Sequence, residues 1–147
     1  MGKLDLAYFA GFFDGEGCIQ IASQRRQWKG RPYRYYRLEL VVASTNHWII
    51  ELMKFQFGGA VYEENREGHP KSHRPAWRWM ICARRAKTFL EDVLPYLKLK
   101  RAEAEIAIKW QSERRMGQMS WGEREKMMAV TEANRMVLSA LKRQGGG

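Results

Sequence analysis

The sequence predicts an α+β fold of element order α-β-β-α-β-β-α-α-α, and three observations carry that prediction. An almost wholly apolar segment opens the chain. Two pairs of alternating segments follow, each pair broken by turn residues, and the second half holds three stretches of helical periodicity. With 147 residues the chain fits one domain, 1–147, with room for a real core but not for two. Within it roughly 4–110 forms the core, helices over roughly 99–143 complete it, and 144–147 is a flexible tail.

The first helix is expected over 4–13, LDLAYFAGFF. It is apolar nearly all round, so it must be covered on more than one side. Its own core can cover one side. Ala10, Gly11 and, four residues on, Gly15 are small enough for a second helix to approach closely on another.

Segments 18–28 and 33–44 alternate and are joined by KGRP, a turn built on Gly30 and Pro32. They form a long hairpin. Ile19 and Ile21 with Leu38, Leu40 and Val42 make its core face, whereas Gln20, Gln24, Arg26, Arg37 and Glu39 make a polar one. A short helix beginning at Asn46 then stops at Gly58 and Gly59. AVYEEN and AWRWMICA form a second pair of strands around a loop with Gly68, Pro70 and Pro75. Helices follow over about 84–94, 99–115 and 121–143, the last with Ser120 and Glu123 as a capping box.

Lys and Arg number 26 against 16 Asp and Glu, a formal +10 that points to a polyanionic partner. The 45% hydrophobic content excludes a disordered basic tail. No apolar stretch approaches the roughly 20 residues of a membrane span, so no membrane partner is expected. Cys18 and Cys82 have no metal-type spacing and read as reduced thiols in the sheet, consistent with an intracellular protein without a secretory signal.

The first helix ends in Asp14 and Glu16, each followed by glycine. A carboxylate and a bared carbonyl at a helix end are hard oxygen ligands suited to Mg²⁺, which keeps waters or phosphate oxygens for its remaining positions. One acid per chain is too little for an all-protein site. Two copies of the helix meeting would bring two carboxylates to one substrate phosphate.

FAGFFDGEG, residues 9–17, resembles the nine-residue signature of the LAGLIDADG homing endonucleases in their single-motif form, and LPYLKLKRAEAEIAI, residues 94–108, resembles that family's second known segment. The element order agrees as well. The resemblance implies a curved antiparallel sheet that forms a DNA-binding saddle and a homodimer packed through the first helix at Ala10, Gly11 and Gly15. It implies Mg²⁺, with Ca²⁺ or Mn²⁺ able to substitute, held by Glu16 and the carbonyl of Gly15. Asp14 is then structural, holding local hydrogen bonds at the helix end. Lys100 falls where the family places a lysine near the scissile phosphate. A polar residue that orders the attacking water falls on Asn46, with Thr45 as the alternative and helix capping as the competing role for both.

The polar hairpin face has the width of a major groove and the side chains that read base edges: Gln20, Gln24, Arg26, Arg37 and Glu39, extended by Arg78 and Tyr62. Lys29, Arg31 and Arg34, near the hairpin tip, are expected to touch phosphates. His69 and His73 have metal-like spacing but no acid or cysteine set beside them, and read as loop residues. The activity that the resemblance implies is hydrolysis of both strands of a long, near-palindromic double-stranded DNA site, without a small-molecule cofactor. The alternative is a non-cleaving nucleic-acid binder of the same fold, either an intron-RNA maturase or a DNA-binding regulator.

Overall fold

A computed structural model describes residues 2–64, 75–115 and 117–144. The chain runs α1 (Lys3–Glu16), β1 (Gly17–Trp28), β2 (Arg31–Ser44), α2 (His47–Phe57), β3 (Ala60–Glu64), β4 (Ala76–Cys82), α3 (Ala83–Val93), a 3-10 turn at Leu94–Tyr96, α4 (Arg101–Glu113) and α5 (Trp121–Gln144). The expected order holds. The largest shift in a boundary is at α1, which runs three residues past Phe13, so Glu16 is the last helical residue. The four strands form one antiparallel sheet in the order β1-β2-β4-β3.

The hairpin turn is two residues, Lys29 and Gly30, both at positive φ (49° and 77°). That is the backbone combination whose twist matches paired strands. Pro32 therefore lies inside β2, opposite Gln27, and not in the turn.

One face of the sheet is the core. Ile19, Ile21, Leu38, Leu40, Val42, Trp79 and Ile81 are buried there under Phe9 and Phe13 of α1, Ile50 and Met53 of α2, and Phe89 and Leu90 of α3. Phe89 is the hub, with ring centroids 5.2 Å from Phe13, 4.7 Å from Phe57 and 5.3 Å from Trp79, all edge-on. Trp79 also donates Nε1–H to the carbonyl of Gly58 at 2.8 Å.

Helix α5 covers the far half of the hairpin on the core side. Tyr36 donates its hydroxyl to Glu132 at 2.8 Å, and burial followed by that bond pushes the phenol up to about 12. Trp110 of α4 donates to Thr131 at 2.9 Å. Ser120 accepts from the backbone N–H of Glu123, but the Glu123 carboxylate pairs with Arg115, so only one arm of the expected capping box is made.

Because side chains alternate, the pairing register fixes the membership of the other face. Gln20 lies opposite Glu39, Ala22 opposite Arg37, Gln24 opposite Tyr35 and Arg26 opposite Tyr33. Arg78 continues this face beside Ala43 on one side and Tyr62 on the other. Gln24, Arg26, Arg37, Tyr62 and Arg78 are exposed on it.

Candidate active site and nucleic-acid interface

The end of α1 is tied to the start of α4 by one buried carboxylate. Asp14 is 8% exposed. Its Oδ2 accepts from the backbone N–H groups of Lys98 and Leu99, both at 2.9 Å, and its Oδ1 accepts from that of Lys100 at 2.8 Å. Burial alone would raise the pKa of this carboxyl. The three N–H donors and the nearby Lys100 charge outweigh burial and hold the carboxyl below its ordinary value. The hydrogen bonds expected of Asp14 are thus present but not local, since their partners lie 84 to 86 residues away.

The same knot returns the Lys100 side chain to α1. Its Nζ donates to the Asp14 carbonyl at 2.6 Å, one residue before Gly15 and two before Glu16. Glu16 and Gly15 are exposed at that helix end. Gly17, the last residue of the signature, cannot carry a side chain, because a Cβ would lie 2.4 Å from the Phe13 ring and 2.6 Å from the Phe13 carbonyl. The close approach of Phe13 thus requires glycine where the chain leaves α1 for β1, and Glu16 stands at that junction.

A carboxylate and backbone carbonyls at the negative end of a helix form a donor set that suits a hard divalent cation. Among the described residues, no group of three or more His, Cys, Asp or Glu side chains could hold a metal. One chain thus offers a partial ligand set, which fits an ion completed by phosphate oxygens and a second chain. His69 and His73 lie outside the described residues.

Glu103, in the first turn of α4, was not anticipated. It is 6% exposed, its Oε1 has no hydrogen-bond partner, and burial pushes its carboxyl up against the pull of Lys142 and Lys100, with Asp14 pushing the same way as burial. Lys142, from the last turn of α5, reaches Cys18 at 3.6 Å. No sequence pattern joins residues 124 positions apart.

The other site residues are distributed as follows. Asn46 caps α2, its Oδ1 accepting from the Ile49 N–H at 3.3 Å, so its acceptor is committed to the capping role. Ala10 is fully buried in the chain's own core and has no surface to offer a second chain. This corrects its assignment to a dimer interface. Gly11 and Gly15 are exposed, and a Cβ at either would meet nothing within 4 Å. They share a stripe with Leu4 and Tyr8, which are 88% and 57% exposed.

On the bare sheet face, Arg26 bonds Gln24 at 3.3 Å and lies 3.8 Å over the Tyr35 ring. Tyr33 and Tyr35 have the parity of this face too, but Arg124 of α5 and Arg114 after α4 each lie 4.8 Å over one of their rings, so its outer end is not bare. Strand alternation from Arg37 would have placed them there. Glu39 is only 8% exposed and its carboxylate is taken by Gln20 and Arg37. Lys29 and Arg31 sit at the tip over Trp28 and Trp121, at 4.9 and 5.1 Å. Arg34 pairs with Arg25 and is exposed on the helix-covered side, where it donates to Ser23 at 2.9 Å and its N–H meets the Met128 sulfur.

Comparison with known proteins identifies the family and the fold. The sequence model of the family described as "LAGLIDADG endonuclease" matches residues 9–100. The DNA endonuclease I-CvuI of Chlorella vulgaris is 31% identical over 109 residues, which are 72% of this chain and 63% of that protein. The crystal structure of I-CvuI in complex with the I-CreI target superposes with a TM-score of 0.73 at 23% identity, covering 95% of this chain and 82% of that one. The archaeal intron-encoded homing endonuclease I-Vdi141I, complexed with DNA, gives 0.59 at 15% identity over 74% of this chain and 67% of that one. With more than half its length matched by the family model and a relative above 30% identity, the chain belongs to the LAGLIDADG endonuclease family.

Proposed function

We propose that this chain is a metal-dependent, site-specific endonuclease that acts as a two-fold dimer and hydrolyses both strands of a long, near-palindromic DNA site. The observation that carries it is the Asp14 knot, which brings Lys100 to the helix end that bears Glu16. I-CvuI and I-Vdi141I, the relatives of matching fold, are both seen with DNA. I-CvuI has been solved in the presence of Mg in one structure and of Ca in another.

Glu16 and the Gly15 carbonyl are the groups that would hold Mg²⁺. When bound, the ion supplies Lewis-acid polarisation of the phosphate and a more acidic water. Lys100 spends one of its three N–H donors on the Asp14 carbonyl and keeps two for a phosphate oxygen, where its charge stabilises the crowded anion of the displacement. The sheet face from Gln24 to Arg78 receives the major groove, and the net +10 supplies salt-sensitive affinity. A second copy packed on the Leu4, Tyr8, Gly11 and Gly15 stripe doubles the acids and inverts the half-sites.

The test is incubation of the chain with a randomised duplex library in Mg²⁺, followed by sequencing of the new ends. Double-strand ends at one recurring near-palindrome, absent with EDTA, are expected. Binding without new ends would favour the non-cleaving alternative, and this proposal would fall.

A further inference from the structure

On the bare sheet face, a nearly buried acid sits between two candidate readers. Glu39, 8% exposed, accepts through Oε1 from Arg37 Nε at 3.1 Å and Nη2 at 2.5 Å. Through Oε2 it accepts from Gln20 Nε2 at 3.0 Å. With both oxygens engaged and buried, Glu39 has little to offer a base. Its neighbours do, and its chemistry decides what one of them shows.

A carboxylate has only acceptors, so the amide group of Gln20 facing it must be the NH₂ and not the carbonyl. The two ends of a glutamine amide are otherwise interchangeable in shape, and a free Gln can present either order of donor and acceptor to a groove. Tied to Glu39, Gln20 retains its Oε1 acceptor and one N–H, in one fixed order. Adenine's major-groove edge offers the complement, the N6 donor beside the N7 acceptor, whereas guanine offers two acceptors. Against guanine, Oε1 would meet O6 with no proton between them.

We propose that Glu39 is a positioning residue that sets the amide orientation of Gln20 and thereby makes adenine the base read at one position of each half-site. This rests on the nuclease reading above. Gln20 lies four residues beyond Glu16 along β1, about 13 Å of strand, so the position is one close to the cleaved phosphates. Arg37, with Nε and Nη2 turned to Glu39, braces the carboxylate from the other side.

The experiment is selection of bound duplexes from a randomised library in Ca²⁺, with wild type, Gln20→Ala, Arg37→Ala and Glu39→Gln, each checked for wild-type melting. Wild type should enrich a motif with adenine at one inner position per half-site. Gln20→Ala and Glu39→Gln should both relax that same position, by about fivefold or more, and leave the others unchanged. Glu39→Gln selecting the wild-type motif unaltered would overturn the proposal. So would a Glu39→Gln change at a position that Gln20→Ala leaves alone, since Glu39 would then read a base itself. Gln20→Ala, which leaves Glu39 and Arg37 paired, decides the adenine assignment even if Glu39→Gln fails to fold. A wild type that enriches no motif would remove the nuclease reading together with this one.

Discussion

Asp14 and Lys100 are joined at two points: the Lys100 N–H donates to the Asp14 carboxylate at 2.8 Å, and the Lys100 amine donates back to the Asp14 carbonyl at 2.6 Å. The acid that looks chemical is thus the fastener, and the exposed acid two residues on is free for chemistry. Asp14→Asn keeps the volume but replaces one acceptor oxygen with a donor facing N–H groups. We expect a loss of about 2 kcal/mol or more in unfolding free energy together with slower cleavage, because Lys100 loses its anchor. Urea melts and single-turnover rates check both. An unchanged melt would contradict the fastening role.

The pH dependence of that contribution has a definite sign. The folded Asp14 carboxyl is held below its ordinary value of 3.8, so its stabilisation is fully present above that value and is lost as pH falls through the depressed one. The stability gap between wild type and Asp14→Asn should be flat above about pH 5 and should close in acid. Glu103 is pushed up mainly by burial and least by Asp14; the burial part is common to both proteins, and only the smaller Asp14 part differs between them. A gap that widens on acidification would refute the assignment.

Lys100→Met removes the amine and keeps an unbranched stem. Loss of one such electrostatic donor should slow single-turnover cleavage by about a hundredfold or more at saturating DNA. A wild-type rate would return Lys100 to the surface lysines.

Gly11 separates assembly from folding. A side chain there meets nothing within 4 Å in its own chain, so Gly11→Leu should melt close to wild type. In the proposed two-fold packing of α1 the added bulk falls at the closest approach, so the variant should run as a monomer in light scattering and cut no DNA. A Gly11→Leu dimer with wild-type activity would move the interface elsewhere.

Much of this was legible in the sequence, for identifiable reasons. Period-two alternation in QIASQ and RLELV set the two hairpin faces, and the nine-residue signature located Glu16 within a helix end. What was missed is partly helix and strand phase, which is local, and partly contacts between distant residues. Ala10 and Gly11 are both small, but 100° of helical rotation sends one into the core and leaves the other exposed. Arg34 and Arg37 are both basic hairpin residues, yet three positions along a strand put them on opposite faces. Glu39 reads as a base contact until its neighbours are known to consume both of its oxygens.

The most direct test of the active-site assignment is Glu16→Gln on the duplex recovered from the library. It removes the charge that would hold the cation and leaves the Asp14 knot and the sheet face intact. We expect wild-type DNA affinity in Ca²⁺, an unchanged dimer and no strand scission in Mg²⁺. Scission by Glu16→Gln at a rate comparable with wild type would contradict the assignment of Glu16 and the mechanism built on it.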